Sequence, residues 1–182
     1  LEKLHGDFLF YKNFYASPVP TIVCEGKTDN IYLTCAIKSL HAKFPRLAKI
    51  DTSGKMKLSV RFINYSELTH RVMGLSGGSP DLGNLIRRYA KQCGWYKAHP
   101  PLNPTIIVAD NDSGSQSIFQ AIKDVTGDRY SIPIGKGRVF DKSQTLYKIA
   151  QNLYVVLTPL LNGNDSMMED FFPPAVLRQP YN

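Results

Sequence analysis

Two apolar runs that each end on acidic residues constrain this chain more than any other feature. TIVC at 21–24 leads directly into EGKTD at 25–29, and TIIVA at 105–109 leads into DND at 110–112. A short unbroken apolar run bounded by turn residues reads as a strand covered on both faces, and strands of that kind belong to parallel sheets. Parallel strands release the residues that follow them at one carboxyl edge, where open α/β sheets place their ligands. Glu25, Asp110 and Asp112 are therefore expected at one rim. Carboxylates crowded together repel one another unless a cation lies among them. Magnesium is commonly held by a few carboxylates together with phosphate oxygens of a substrate, so the rim is a candidate divalent-metal site.

The rest of the pattern alternates helix and strand. Ile31, Tyr32, Cys35, Ala36 and Leu40 follow the first run at helical spacing, with Gly26 turning the chain between strand and helix. A polar turn at Ser53 and Gly54 precedes a second strand over 58–63. Ser79 as cap, Pro80 at the first helical position and Asp81 at the positive helix end open a helix with Leu82, Leu85, Ile86, Tyr89, Ala90 and Cys93 on its inner face. Residues 104–109 form the expected central strand, and Ser113 and Gly114 turn it into a helix holding Ile118, Phe119 and Ile122. Residues 130–134, followed by GKG at 135–137, read as an edge strand or hairpin arm. Leu146, Ile149, Ala150 and Leu153 predict one more helix, 154–157 a last strand, and 162–165 a polar turn before SMMEDFFPP. The expected fold is α/β: a compact, mostly parallel sheet of about four core strands flanked by helices through right-handed crossovers.

At 182 residues, the chain suits one such domain. Its 22 basic and 15 acidic side chains leave a formal charge of +7, which favours a polyanionic partner and equally describes a merely basic protein. The three cysteines lie in apolar segments without a CxxC pair, as reduced thiols of a cytoplasmic protein do. Four scattered histidines with no HExxH pattern argue against zinc. No apolar run approaches the roughly 20 residues of a membrane span, so no membrane partner is expected. Because the chain opens on Leu1 rather than methionine, we expect a piece of a longer polypeptide, with Leu1 and Glu2 from a cloning junction.

Each acidic group has an ordinary reading beside the metal reading. Asp110 and Asp112 alternate about Asn111, which puts both side chains on one side of an extended segment; equally, Asp112 or Ser113 caps the following helix in an Asx-turn. Asp29 lies one helical turn beyond Glu25, and an acid at a helix start is favourable in its own right. Glu169 and Asp170 form a third candidate, although Ser166 and Glu169 also fit a capping box. Gly77 and Gly78 lack the lysine and spacing of a P-loop, and EGKTD has too few glycines for a dinucleotide turn. Lys27, Arg87, Arg88, Lys136, Arg138 and Lys142 are candidate contacts to a nucleic-acid backbone, or plain solvated charge.

The ordered set of strand-EGxxD, strand-DND and strand-then-ED resembles the Toprim domain of primases, topoisomerases, recombination proteins and the overcoming-lysogenization-defect nucleases. The likeness spans roughly residues 21–172. More narrowly, FYKNFYASPVPTIVCEGKTDNIYL is similar to the carboxyl-terminal extension of certain retron reverse transcriptases. The resemblance implies a Toprim domain over 20–182, preceded at 1–19 by a linker or the tail of an upstream reverse-transcriptase domain. It implies Glu25, Asp110 and Asp112 as catalytic residues, with Asp29, Glu169 and Asp170 as the further acids of the nuclease branch, holding Mg2+ or Mn2+. The implied activity is metal-dependent phosphodiester cleavage of DNA or RNA-linked DNA within an RNA-directed DNA polymerase, alongside a retron accessory protein. A non-catalytic module that binds nucleic acid or a partner is the alternative.

Overall fold

The computed structural model describes residues 1–99 and 101–173. The end of the 20–182 stretch, residues 174–182, lies outside the described residues. Its main feature is a five-stranded sheet in the order β4-β1-β5-β9-β8. The strands are β1 (Thr21–Cys24), β4 (Arg61–Phe62), β5 (Thr105–Ala109), β8 (Leu146–Ala150) and β9 (Leu153–Leu157). Four of these run parallel, with β5 at the centre, while β8 pairs antiparallel to β9 at one edge. The register sets Cys24 opposite Val108, so β1 and β5 finish side by side.

The sheet divides the apolar side chains between two faces. On one, Val23, Ile107, Val155 and Leu157 join Leu82, Leu85, Ile86 and Tyr89 of α4 (Ser79–Cys93) and Ile118, Phe119 and Ile122 of α5 (Gln116–Thr126) in a single core. On the other, Ile22 and Cys24 meet Ile37 of α2 (Lys27–Ser39), together with residues of the hairpin β2 (Ala48–Ile50) and β3 (Met56–Leu58). Alternation along β1 achieves this split, because successive strand residues point to opposite faces. The polar turn at Ser53 and Gly54 closes that hairpin: Asp51 Oδ1 accepts from the backbone N–H of Ser53 and Lys55, and Gly54 takes φ +80°. A second hairpin pairs β6 (Ser131–Ile134) with β7 (Gly137–Phe140), so of the two readings of 130–134, edge strand or hairpin arm, the hairpin arm is the one realised.

Four expectations are corrected. The sheet has five strands, not four, because Leu146–Ala150 is a strand rather than part of a helix. Tyr147 and Ile149 are buried while Leu146 and Lys148 are exposed, a period of two that the helical spacing of Leu146, Ile149, Ala150 and Leu153 obscured. Gln151, at φ +50°, then turns the chain tightly into β9. The single strand expected at 58–63 is divided: residue 58 closes the β2-β3 hairpin, and only Arg61–Phe62 joins the main sheet. Finally, Gly78 and not Ser79 is the cap of α4; Ser79 begins the helix, and its Oγ accepts from the Ile118 N–H at 3.3 Å.

Residues 1–19 contribute to the same core. Helix α1 (Glu2–Phe10) continues into a wider π-type turn over Tyr11–Tyr15, and Phe10 and Phe14 are each 1% exposed beside Tyr89. Helix α3 (Glu67–Met73) packs against α1. Among the described residues no helix is long and apolar enough to cross a membrane.

Candidate metal centre

The carboxyl edge of the sheet gathers the first two acidic groups as the sequence predicts. Glu25 leaves β1 with its N–H donating to Val108 O at 3.0 Å, and Asp110 leaves β5 one residue past Ala109. Glu25 Oε2 then accepts from the Asp110 backbone N–H at 3.4 Å and from Ser115 Oγ at 3.1 Å. The α2 start adds Asp29, which is buried and accepts from the Gly26 N–H at 2.7 Å. That bond satisfies one of the free donors at the helix start.

Asn111 fixes the geometry of the DND turn. It is fully buried, donates from its backbone to Thr158 Oγ1 at 2.9 Å, and from Nδ2 to Lys142 O at 3.0 Å and Thr158 O at 3.1 Å. With Asn111 turned inward, Asp110 and Asp112 remain half-buried on either side of it. Asp112 Oδ1 accepts from the N–H groups of Gly114 and Ser115 at 2.9 and 3.2 Å, so the helix-capping alternative for Asp112 is realised in the structure.

The third acidic group arrives through a backbone bridge between Asn111 and Ser166. It carries Met168 to the rim, where the Met168 N–H donates to Asp110 Oδ1 at 2.8 Å. The expected Ser166–Glu169 capping box is corrected by one residue. Ser166 Oγ bonds back to Thr158 and Pro159, and Asp170 Oδ2 accepts from the Met167 N–H at 2.8 Å. Asp170 is exposed in this capping position, whereas Glu169 is half-buried and lies close enough to Asp110 to act on its charge.

Burial and mutual repulsion both act on these groups. Removal from water pushes the Asp110 carboxyl up to about 6; Asp29, Glu25 and Glu169 add to the rise, and the Met168 N–H opposes it. Glu25 is raised chiefly by burial, with Asp112 and Asp29 contributing, against the hydrogen bonds from Ser115 and Asp110. Among the described residues none of Glu25, Asp29, Asp110, Asp112 and Glu169 forms an ion pair with a basic side chain. The donor set is oxygen only, which fits a hard divalent cation. As arranged, no three of the described acidic, His or Cys side chains close around a single point, because the carboxylates are turned to neighbouring donors.

Of the six basic candidates, four have internal partners. Arg87 pairs with Asp124 at 2.7 Å, Arg138 with Asp128 at 3.7 Å, and Lys142 with Asp165. Arg88 is half-buried and donates to Met73 O. Lys27 and Lys136 are exposed and make no ion pair among the described residues. Lys27 stands two residues from Glu25.

Several positions that shape the rim escaped sequence reasoning. Tyr65 donates its hydroxyl to Cys24 O, and the Gly78 N–H donates to Glu25 O at 2.8 Å. The Gly77-Gly78 pair thus holds the end of β1: a Cβ on Gly77 would lie 3.1 Å from Glu25 O and 3.3 Å from the Tyr65 ring. Only the glycine doublet itself signalled a close backbone approach in the sequence. No protein-family model matches this chain, and no solved structure matches it.

Proposed function

We propose that this chain is a Toprim-like module that cleaves phosphodiester bonds of nucleic acid with Mg2+ or Mn2+, as the carboxyl-terminal part of a retron reverse transcriptase. The observation that carries the reading is five carboxylates whose charges act on one another across the rim, none with a basic partner among the described residues, in a chain of net charge +7. A fold that neutralised these acids for stability alone had 22 basic side chains to draw on. Glu25, Asp110 and Asp112 would hold the ion, with Asp29 and Glu169 adjoining and Asp170 nearer the outside. A divalent cation at such a centre polarises a phosphate and lowers the pKa of an attacking water. The chain's own part is positional. Ser115 and the Asp110 N–H orient Glu25, the Met168 N–H orients Asp110, and Lys27 stands at the rim to attract the phosphate backbone.

A second reading, a binding module without catalysis, draws on the capping bonds of Asp29, Asp112 and Asp170, which give those acids a structural purpose. Incubation of the protein with supercoiled and single-stranded DNA, with and without manganese, separates the two. Metal-dependent nicking that disappears in Glu25→Gln supports cleavage; salt-sensitive binding with equal trace cleavage in both proteins supports the binding module.

A further inference from the structure

We infer that the cleft between α2 and the end of β4 receives a single unpaired base of the nucleic-acid strand whose phosphate lies at the acidic rim. This inference rests on the nucleic-acid reading proposed above. The cleft has a volume of about 580 Å³, within the ordinary range of small-ligand sites. Asn64 and Tyr65, which follow β4, line it, and because β4 lies next to β1 and runs parallel to it these residues stand at the same carboxyl edge of the sheet as Glu25. Tyr65 lines the cleft and is bonded to Cys24 O, immediately before Glu25.

Its walls match a base in chemistry. Ile31, Leu58 and Phe62 supply apolar surface, with Phe62 half-buried as a stacking face. Two amides supply polarity. Asn30 Nδ2 donates to Ile63 O at 2.9 Å and to Asn64 Oδ1 at 3.4 Å, which uses its donors and fixes the orientation of the amide. Asn30 Oδ1 is left buried and, among the described residues, without a donor, in a residue only 8% exposed. Asn64 is exposed and lines the cleft, so its amide is the group on this wall that can meet a base edge, as amide side chains do. Lys27 borders this cleft and the smaller hollow beside Ser66 and Ser76, where a neighbouring phosphate would pass. A paired base could not enter, since reaching such a pocket requires leaving the duplex stack.

The test uses the whole chain and a fluorescein-labelled 12-nucleotide DNA strand, compared with a strand of equal length lacking its bases. Anisotropy should show the strand with bases binding about tenfold tighter, the worth of roughly one stacked base. Thr34→Trp, which fills the cleft, should reduce that affinity to the level of the baseless strand. A measurement without mutation uses Cys35, the exposed cysteine of the cleft wall, since Cys24 and Cys93 are buried. Its alkylation by N-ethylmaleimide should be slowed by the strand with bases and not by the other. Equal affinity for both strands, binding of neither, or alkylation unaffected by the strand with bases would overturn the inference. Manganese titration without nucleic acid reads the acidic rim alone, so failure of the metal reading is separately visible.

Discussion

The Glu25 carboxylate accepts a hydrogen bond from the backbone N–H of Asp110, 3.4 Å away, joining the ends of the two central strands of the sheet. An acid from β1 is thereby held against an acid from β5, and burial raises the pKa of both. Such an arrangement weakens the protein until something positive enters it. In metal-free buffer, Glu25→Gln should therefore keep or slightly raise the melting temperature, because the amide oxygen still accepts from Ser115 while the charge is gone. Adding manganese at millimolar concentration should raise the melting temperature of the natural protein by several degrees, corresponding to about 1–3 kcal/mol of linked binding. Glu25→Gln should respond much less. Equal responses would show that the ion binds elsewhere.

Asp110 makes the same point through pH. A carboxyl whose pKa is about 6 in the fold and near 3.8 when unfolded binds more protons folded, so its ionisation works against the fold. The penalty is absent below the unfolded value and grows as pH rises through about 6. Asp110→Asn keeps an oxygen to accept from the Met168 N–H and removes the titration. In EDTA it should stabilise the protein at pH 8 by on the order of 1 kcal/mol, a figure reduced for solvent screening of a half-exposed group, and be close to neutral at pH 4. Urea midpoints at the two pH values measure the difference. A larger gain at pH 4 would reverse the sign and contradict the account.

The sequence disclosed those parts of the fold in which a local pattern and a long-range requirement coincide. TIVC and TIIVA are apolar throughout, and only adjacent parallel strands cover such runs, so the shared edge of Glu25 and Asp110 was legible. The α4 helix was legible for the same reason, with the cap displaced by one residue because Ser79 turns its hydroxyl to Ile118. The edge strand β8 was not. Its residues satisfy both periods, and what selects the strand is pairing with β9, a tertiary contact. Within the site, Glu25, Asp29, Asp110 and Glu169 come together, whereas Asp170 caps its own turn and Arg87 and Arg138 serve nearby carboxylates. Ser115, Tyr65 and the Met168 N–H could not be read, since a hydroxyl or backbone donor acquires its role only from what the fold sets opposite it.

Phe10 tests whether the segment before β1 belongs to the folded unit. It is 1% exposed and packs against Phe14, Tyr89 and Tyr96, with ring centroids 5.2, 5.2 and 6.3 Å away. Phe10→Ala should cost about 3–5 kcal/mol, the range for emptying an aromatic site in a core. Guanidinium unfolding should show the loss in one transition. A change below about 1 kcal/mol would mean that the helix at 2–10 folds independently of the sheet.

Gly77 tests how firmly the end of β1 is held. Its φ of +105° is a conformation L side chains rarely adopt, and a Cβ there would press on Glu25 O at 3.1 Å and the Tyr65 ring at 3.3 Å. Gly54, at φ +80° with nothing within 4 Å of a Cβ, supplies the control for backbone strain alone. Alanine at Gly54 should destabilise by about 1 kcal/mol, the strain of a left-handed residue. At Gly77 the loss should be roughly 2–3 kcal/mol, since contact is added to strain. Because the Gly78 N–H bonds to Glu25 O at 2.8 Å, the Gly77 substitution should also displace the residue that leads into the acidic rim. Manganese affinity should then fall in Gly77→Ala and stay unchanged in Gly54→Ala. Equal losses of stability at the two glycines, with ion binding intact in both, would mean that the glycine loop does not position Glu25.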